Sequence, residues 1–216
     1  MLRKTLFTYA PLAVLIASCA SAQQTLVVPA TANIFAAGQS VAFSGILPPV
    51  VTFPAGSVEA VTIGAIGKIT LGAGEPYSGP AGIPFPGGTD LTSFNGLSGI
   101  VATNRGFFLT GVFLNDSVPA GSGPPVLNFT DAENFLTLSP ELFQTFYIGN
   151  GLSATDANPG AVSKIFFVPE GATRLFLGIS DGCDLANGPP GCYDDNAGEF
   201  KASVVLHPFT NQPTSK

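Results

Sequence analysis

Apolar residues along this chain come in short runs with a period of two, and Gly and Pro punctuate the runs. The clearest run is the last, Gly198 to Leu206, where Phe200, Ala202, Val204 and Leu206 share one face of a predicted strand. Val51 to Phe53 leads into the turn Pro54-Ala55-Gly56. Beyond it Val58, Ala60 and Thr62 alternate with Glu59 and Val61, which predicts a strand reaching Ile63 or further. The device returns where Phe166-Phe167-Val168 enters Pro169-Glu170-Gly171 and Leu175, Phe176 and Leu177 open the next strand. Gly96–Ala102 and Gly106–Leu114 also read as strands, with Phe107, Phe108 and Phe113 as core candidates. Thr25–Val41 reads as an opening strand and turns, broken by Pro29, Gly38 and Ser40.

Between these runs the pattern lapses. Residues 72–90 are so rich in Gly and Pro that they read as a long surface loop with no ladder strand, offering Tyr77 and Phe85 either to a ligand or to the core. Residues 115–127 form a second such loop. Thr130-Asp131-Ala132-Glu133 has capping-box form and Ser139-Pro140-Glu141 resembles a helix start, so a helical turn is expected there, with Leu142–Ile148 running from short helix to strand. The pattern as a whole predicts an all-β, antiparallel β-sandwich, jelly-roll or galactose-binding-like, with at most one or two short helical turns. Composition agrees: 26 Gly and 19 Pro disfavour long helices. Only 10% of residues are charged and 45% are hydrophobic, which argues against disorder.

The first residues carry an address. Arg3 and Lys4 precede an apolar run from Leu6 to Ala17 that has signal-peptide length and is too short to span a bilayer. Two processing signals overlap at its end. Ala20-Ser21-Ala22 suits cleavage before Gln23, whereas Ile16-Ala17-Ser18-Cys19 resembles a lipobox that would make Cys19 a lipidated first residue. The expected organisation is a signal peptide over 1–22, or a lipoprotein signal over 1–18, then one domain over 23–207 and a polar tail over 208–216. No second apolar stretch has spanning length. The chain is therefore expected outside the bacterial cytoplasm, released, periplasmic or tethered by lipid, with a homo-oligomer left open. Losing Arg3 and Lys4 would leave 6 basic against 14 acidic residues and move the net charge from −6 to about −8, which makes nucleic acid and anionic lipid poor partners.

Candidate chemistry concentrates in Asp181–Asn196, which gathers the carboxylates of Asp181, Asp184, Asp194 and Asp195 and the amides of Asn187 and Asn196. In an exported protein the natural reading of Cys183 and Cys192 is a disulfide across this loop, with free thiols as the alternative. Crowded carboxylates repel unless neutralised, and hard oxygen donors on a loop are what Ca2+ accepts. A solvated acidic loop with no ligand is the competing interpretation. The spacing is not that of an EF-hand, and softer metals are disfavoured because His207 is the chain's single histidine.

Pro169-Glu170-Gly171-Ala172, Leu177-Gly178-Ile179-Ser180-Asp181 and Tyr193-Asp194-Asp195-Asn196-Ala197-Gly198-Glu199-Phe200 together resemble the end of the bacterial calcium-dependent galactose-binding (LecA-like) lectins. They also resemble a related group of secreted proteins that often carry a PEP-CTERM sorting tail. The resemblance extends to Ala36-Ala37-Gly38-Gln39 and to Val61-Thr62-Ile63 through Leu71-Gly72. It implies a small β-sandwich whose Ca2+ is held by side chains of Asp181, Asp195 and Asn196 and by the carbonyls of Leu71 and Cys192, with two sugar hydroxyls completing the shell. Asp181, Asp195, Tyr193 and Tyr77 are the candidate sugar-binding residues. The chain departs from the family in having Asp195 where the family has an amide, in offering no match within 72–90 for the polar residues of the family's sugar pocket, and in lacking the sorting tail.

Enzyme signatures are missing. No Gly-x-Ser-x-Gly elbow accompanies His207, Gly67-Lys68 is followed by Ile69 where a Walker motif needs Ser or Thr, and Gly72-Ala73-Gly74 lacks the third glycine of a dinucleotide fingerprint. Asp181 with Asp195 is the one carboxylate pair that a glycosidase reading would use. The expected function is non-enzymatic, calcium-dependent binding of a glycan or cell-surface polysaccharide. The alternative is a structural or adhesive surface protein in which Ca2+ only stabilises the acidic loop.

Overall fold

The computed structural model describes residues 22–85, 87–154, 158–184 and 186–209. Cys19, the leader and the residues beyond 209 lie outside the described residues. The long alternating runs form the centre of the first sheet. Its order is β1 (Ala22–Pro29), β14 (Ala197–Pro208), β3 (Val58–Thr70), β11 (Ile165–Phe167) and β9 (Thr137–Leu138), antiparallel except where β9 runs alongside β11. The second sheet is antiparallel, in the order β10 (Thr145–Tyr147), β7 (Arg105–Leu114), β12 (Arg174–Ile179) and β2 (Val50–Thr52). A smaller third sheet joins β13 (Ala186–Gly188), β5 (Thr89–Leu91), β6 (Ile100–Ala102) and β8 (Leu127–Asn128), with both outer pairs parallel.

The first two sheets pack as a sandwich. Phe200, Ala202, Val204 and Leu206 of β14 point into one contiguous core with Val61 and Ile63 of β3. From the opposite sheet come Val112, Phe146, Leu175 and Leu177. Phe146 of β10 and Phe166 of β11 meet across the gap with ring centroids 5.2 Å apart, so the aromatic contact ties the two sheets directly. From Gly106 to Leu114 β7 is buried on both faces, which is why its sequence is a continuous apolar run and not an alternating one.

Three local expectations are corrected. Residues 72–90 contain a strand after all: β4 (Ala81–Pro84) pairs antiparallel with Phe108, Gly106 and Arg105 of β7. It tolerates Gly and Pro because it is a short edge strand, and the Arg105 guanidinium adds hydrogen bonds to the carbonyls of Ala81 and Gly82 at 3.2 and 3.1 Å. The strand expected over Gly96–Ala102 begins only at Ile100, because Asn95 and Gly96, with φ of 51° and 78°, make a tight turn that closes Phe94 on Leu97. The helical turns expected at 130–133 and from Ser139 are non-helical turns, whereas the strand expected to follow within Leu142–Ile148 forms as β10. Glu133 does not cap a helix but ion-pairs with Arg105 at 3.2 Å. The 3-10 turns that do form are Ile34–Ala36, capped by Asn33, and Tyr193–Asp195.

Beside that ion pair lies Lys164, fully buried. Its Nζ donates to the carbonyl of Ile148 at 3.2 Å and stands 4.5 and 4.4 Å from the ring centres of Phe135 and Tyr147. Burial pulls its amine from 10.5 down to about 7.

Candidate functional site

Three strand ends converge at one end of the sandwich. β3 stops at Thr70, whose register partner is Ala197, so Leu71 and Asn196 leave the same rung of the β3–β14 ladder. β12 stops at Ile179 and delivers Asp181 two residues later. The link between them is Tyr193: its hydroxyl donates to the carbonyl of Ile179 at 3.0 Å and accepts from the amide of Asp181 at 3.1 Å. Tyr193 is fully buried and fixes the acidic loop to the end of β12.

The adjacent carboxylates have separate tasks. Asp194 accepts from the Ser44 hydroxyl and the Gly45 amide, each at 3.0 Å, and so anchors the loop to residues 44–45. Asp195 lines the cleft instead. Gly72 approaches it closely: with φ of 136° it lies where an added Cβ would be 3.3 Å from Asp195 Oδ2. Cys183 and Cys192 are disulfide-bonded, with Cα atoms 5.1 Å apart, closing the loop over the cleft.

Asp181 and Asn196 are the buried pair. Asn196 Nδ2 donates to Asp181 Oδ2 at 2.8 Å and to the carbonyl of Ala30 at 3.0 Å, while Asp181 Oδ1 accepts from the Gly182 amide at 2.7 Å. Asp181 is 3% exposed and Asn196 8%. Burial pushes the Asp181 carboxyl up to about 7, against the hydrogen bonds from Asn196 and Gly182, and the neighbouring Asp195 adds to the rise. Asn196 Oδ1 is buried with no hydrogen-bond partner. An orphaned amide oxygen beside a carboxylate whose charged form burial disfavours is a costly arrangement unless a bound water or cation satisfies it.

These groups border a cleft of about 190 Å³. Leu71, Asp181, Cys192 and Asp195, four of the five residues implied as calcium ligands, line it, and the fifth, Asn196, is hydrogen-bonded to Asp181. Tyr77 is exposed and stands outside the lining of the cleft. Six further residues line it, Gly182 and Cys183 of the loop among them. Glu75 and Asp184 add carboxylates, and Phe85 lies edge-on to the buried Phe107 with centroids 5.0 Å apart. Asp184 and Phe85 are conspicuous in the sequence, but nothing local marks Glu75; the β3–β4 connection brings it to the cleft. Among the described residues no group of three His, Cys, Asp or Glu side chains converges. The groups implied as ligands, two carboxylates, an amide oxygen and two backbone carbonyls, are all hard oxygen, a set that would suit Ca2+ better than a softer metal.

Fold and site together define a β-sandwich with an acidic, disulfide-closed cleft at one end. No family model matches the chain, and no curated protein matches it. Among solved structures the chain is similar to the EclA N-terminal domain, a PllA-like lectin, at 21% identity over 85% of this chain and 95% of that one, with a TM-score of 0.40.

Proposed function

We propose that the cleft binds one Ca2+ and, through it, a carbohydrate, and that the chain acts outside the cytoplasm as a calcium-dependent carbohydrate-binding protein. The observation that carries this reading is the buried, unpartnered Asn196 Oδ1 beside Asp181. Asp181, Asp195 and Asn196 would hold the ion with the carbonyls of Leu71 and Cys192. Bound there, the ion would supply open coordination positions for vicinal hydroxyls, which are weak ligands alone. The chain's own residues set the direction of approach: Tyr193 and Asp194 fix the loop, the disulfide closes it, and Phe85 borders the space left for a sugar ring.

The reading is tested by calcium titration of EDTA-treated protein, followed by a glycan array with and without EDTA. Ca2+ at a hundred times its Kd should stabilise the fold by about 2.7 kcal/mol, and Asn196→Ala should remove most of that gain. A melting temperature indifferent to both EDTA and Ca2+ rules the site out. The near-complete burial of Asp181 and Asn196 also suits a purely structural ion. Calcium binding without any calcium-dependent glycan would select that second reading.

A further inference from the structure

The charge around the same cleft bears on which sugars it takes. Two positive charges on a bound Ca2+ match the two carboxylates assigned to it, Asp181 and Asp195. Glu75 and Asp184 then remain on the exposed rim, with no ion-pair partner among the described residues. None of the described residues lining the cleft is Lys, Arg or His. A ligand entering here meets two rim carboxylates that no ion pair among the described residues offsets. Phe85, half-buried and backed edge-on by Phe107, offers an apolar wall to the ring's C–H face and a π-surface to a cation.

Resting on the calcium reading above, we infer that the site selects sugars bearing a free amine and discriminates against acidic ones. An ammonium group on a hexosamine supplies the positive charge the rim lacks while its hydroxyls remain free for the ion. A uronate, sulfate or phosphate ester places like charge against Glu75 and Asp184. N-acetylation removes the ammonium, so acetylated and neutral sugars fall between the two. The selecting residues are Glu75, on the β3–β4 connection, and Asp184, inside the disulfide-closed loop.

Calorimetry with matched methyl glycosides tests this. Each set holds a hexosamine, its N-acetyl form and a hexuronic acid, in gluco, galacto and manno configurations, at pH 7 and saturating Ca2+. In at least one configuration the amine should bind about three- to tenfold tighter than its N-acetyl form, and the uronate weakest. The advantage should shrink as salt rises from 20 to 500 mM. The double variant E75Q/D184N should erase the amine's advantage and raise uronate affinity. Equal binding of amine and N-acetyl forms, or uronate binding as tight as either, overturns the inference. A sugar-free calcium titration on the same samples separates the failures. If Ca2+ binds but the sugars do not discriminate, only the selectivity falls; if Ca2+ does not bind, the calcium reading falls with it.

Discussion

Asp181 and Lys164 are both buried ionisable groups, and their effects on stability run in opposite directions. In the folded, metal-free protein Asp181 holds its proton up to about pH 7 against 3.8 when unfolded. The folded state therefore binds more protons between those values, and stability falls as pH rises through that window. Lys164 gives up its proton near 7 when folded and near 10.5 when unfolded. There the unfolded state binds more protons, so stability rises from pH 7 towards 10.5. In EDTA the two groups together give a trough of stability near neutral pH, to be read from urea unfolding between pH 4 and 10. Asp181→Asn should flatten the acid limb and Lys164→Met the alkaline one. Added Ca2+ should fill the trough, since it binds the ionised carboxylate.

At the scale of elements, the disulfide is the loop's main covalent restraint. Removing it as C183S/C192S should cost about 2.5 kcal/mol in the chain-entropy view, measured by denaturant unfolding, and should weaken calcium binding because Cys192 lines the cleft. This loop was legible in the sequence because its carboxylates and cysteines are contiguous. β14 was legible because one face is buried and the other is not, which writes a period of two into Phe200 to Leu206. β4 was not legible: its support comes from β7 and from the side chain of Arg105, far away in sequence. The failed capping box at Thr130–Glu133 has the same cause, since Arg105 draws Glu133 into a buried ion pair that outcompetes a local cap. The burial of Tyr193 was not legible either, because burial on a loop follows from tertiary closure, which residue type does not reveal.

For the molecule as a whole, the sandwich rests on contacts between sheets that the sequence lists 20 residues apart at Phe146 and Phe166. Phe166→Ala should destabilise the protein by about 3–5 kcal/mol by opening a cavity at the sheet-to-sheet seam. Because the cleft hangs on strand ends outside that seam, calcium affinity should change little at temperatures where the variant is folded, which parallel calorimetry and thermal melts would show.

The pairing of β1 with β14 has a mechanical consequence. Ala22 stands opposite Leu206 at one end of this ladder, and Pro29 stands opposite Glu199 at the other, about 25 Å away. The cleft belongs to the second end, where Asn196 bonds to Ala30 and leads directly into β14. A pull between a captured ligand and residue 22 would enter at the start of β14 and leave at the start of β1, at opposite ends of antiparallel neighbours. Such a load shears all the rungs together instead of peeling them one by one, so the grip should resist tension along the direction in which an anchored chain would be drawn.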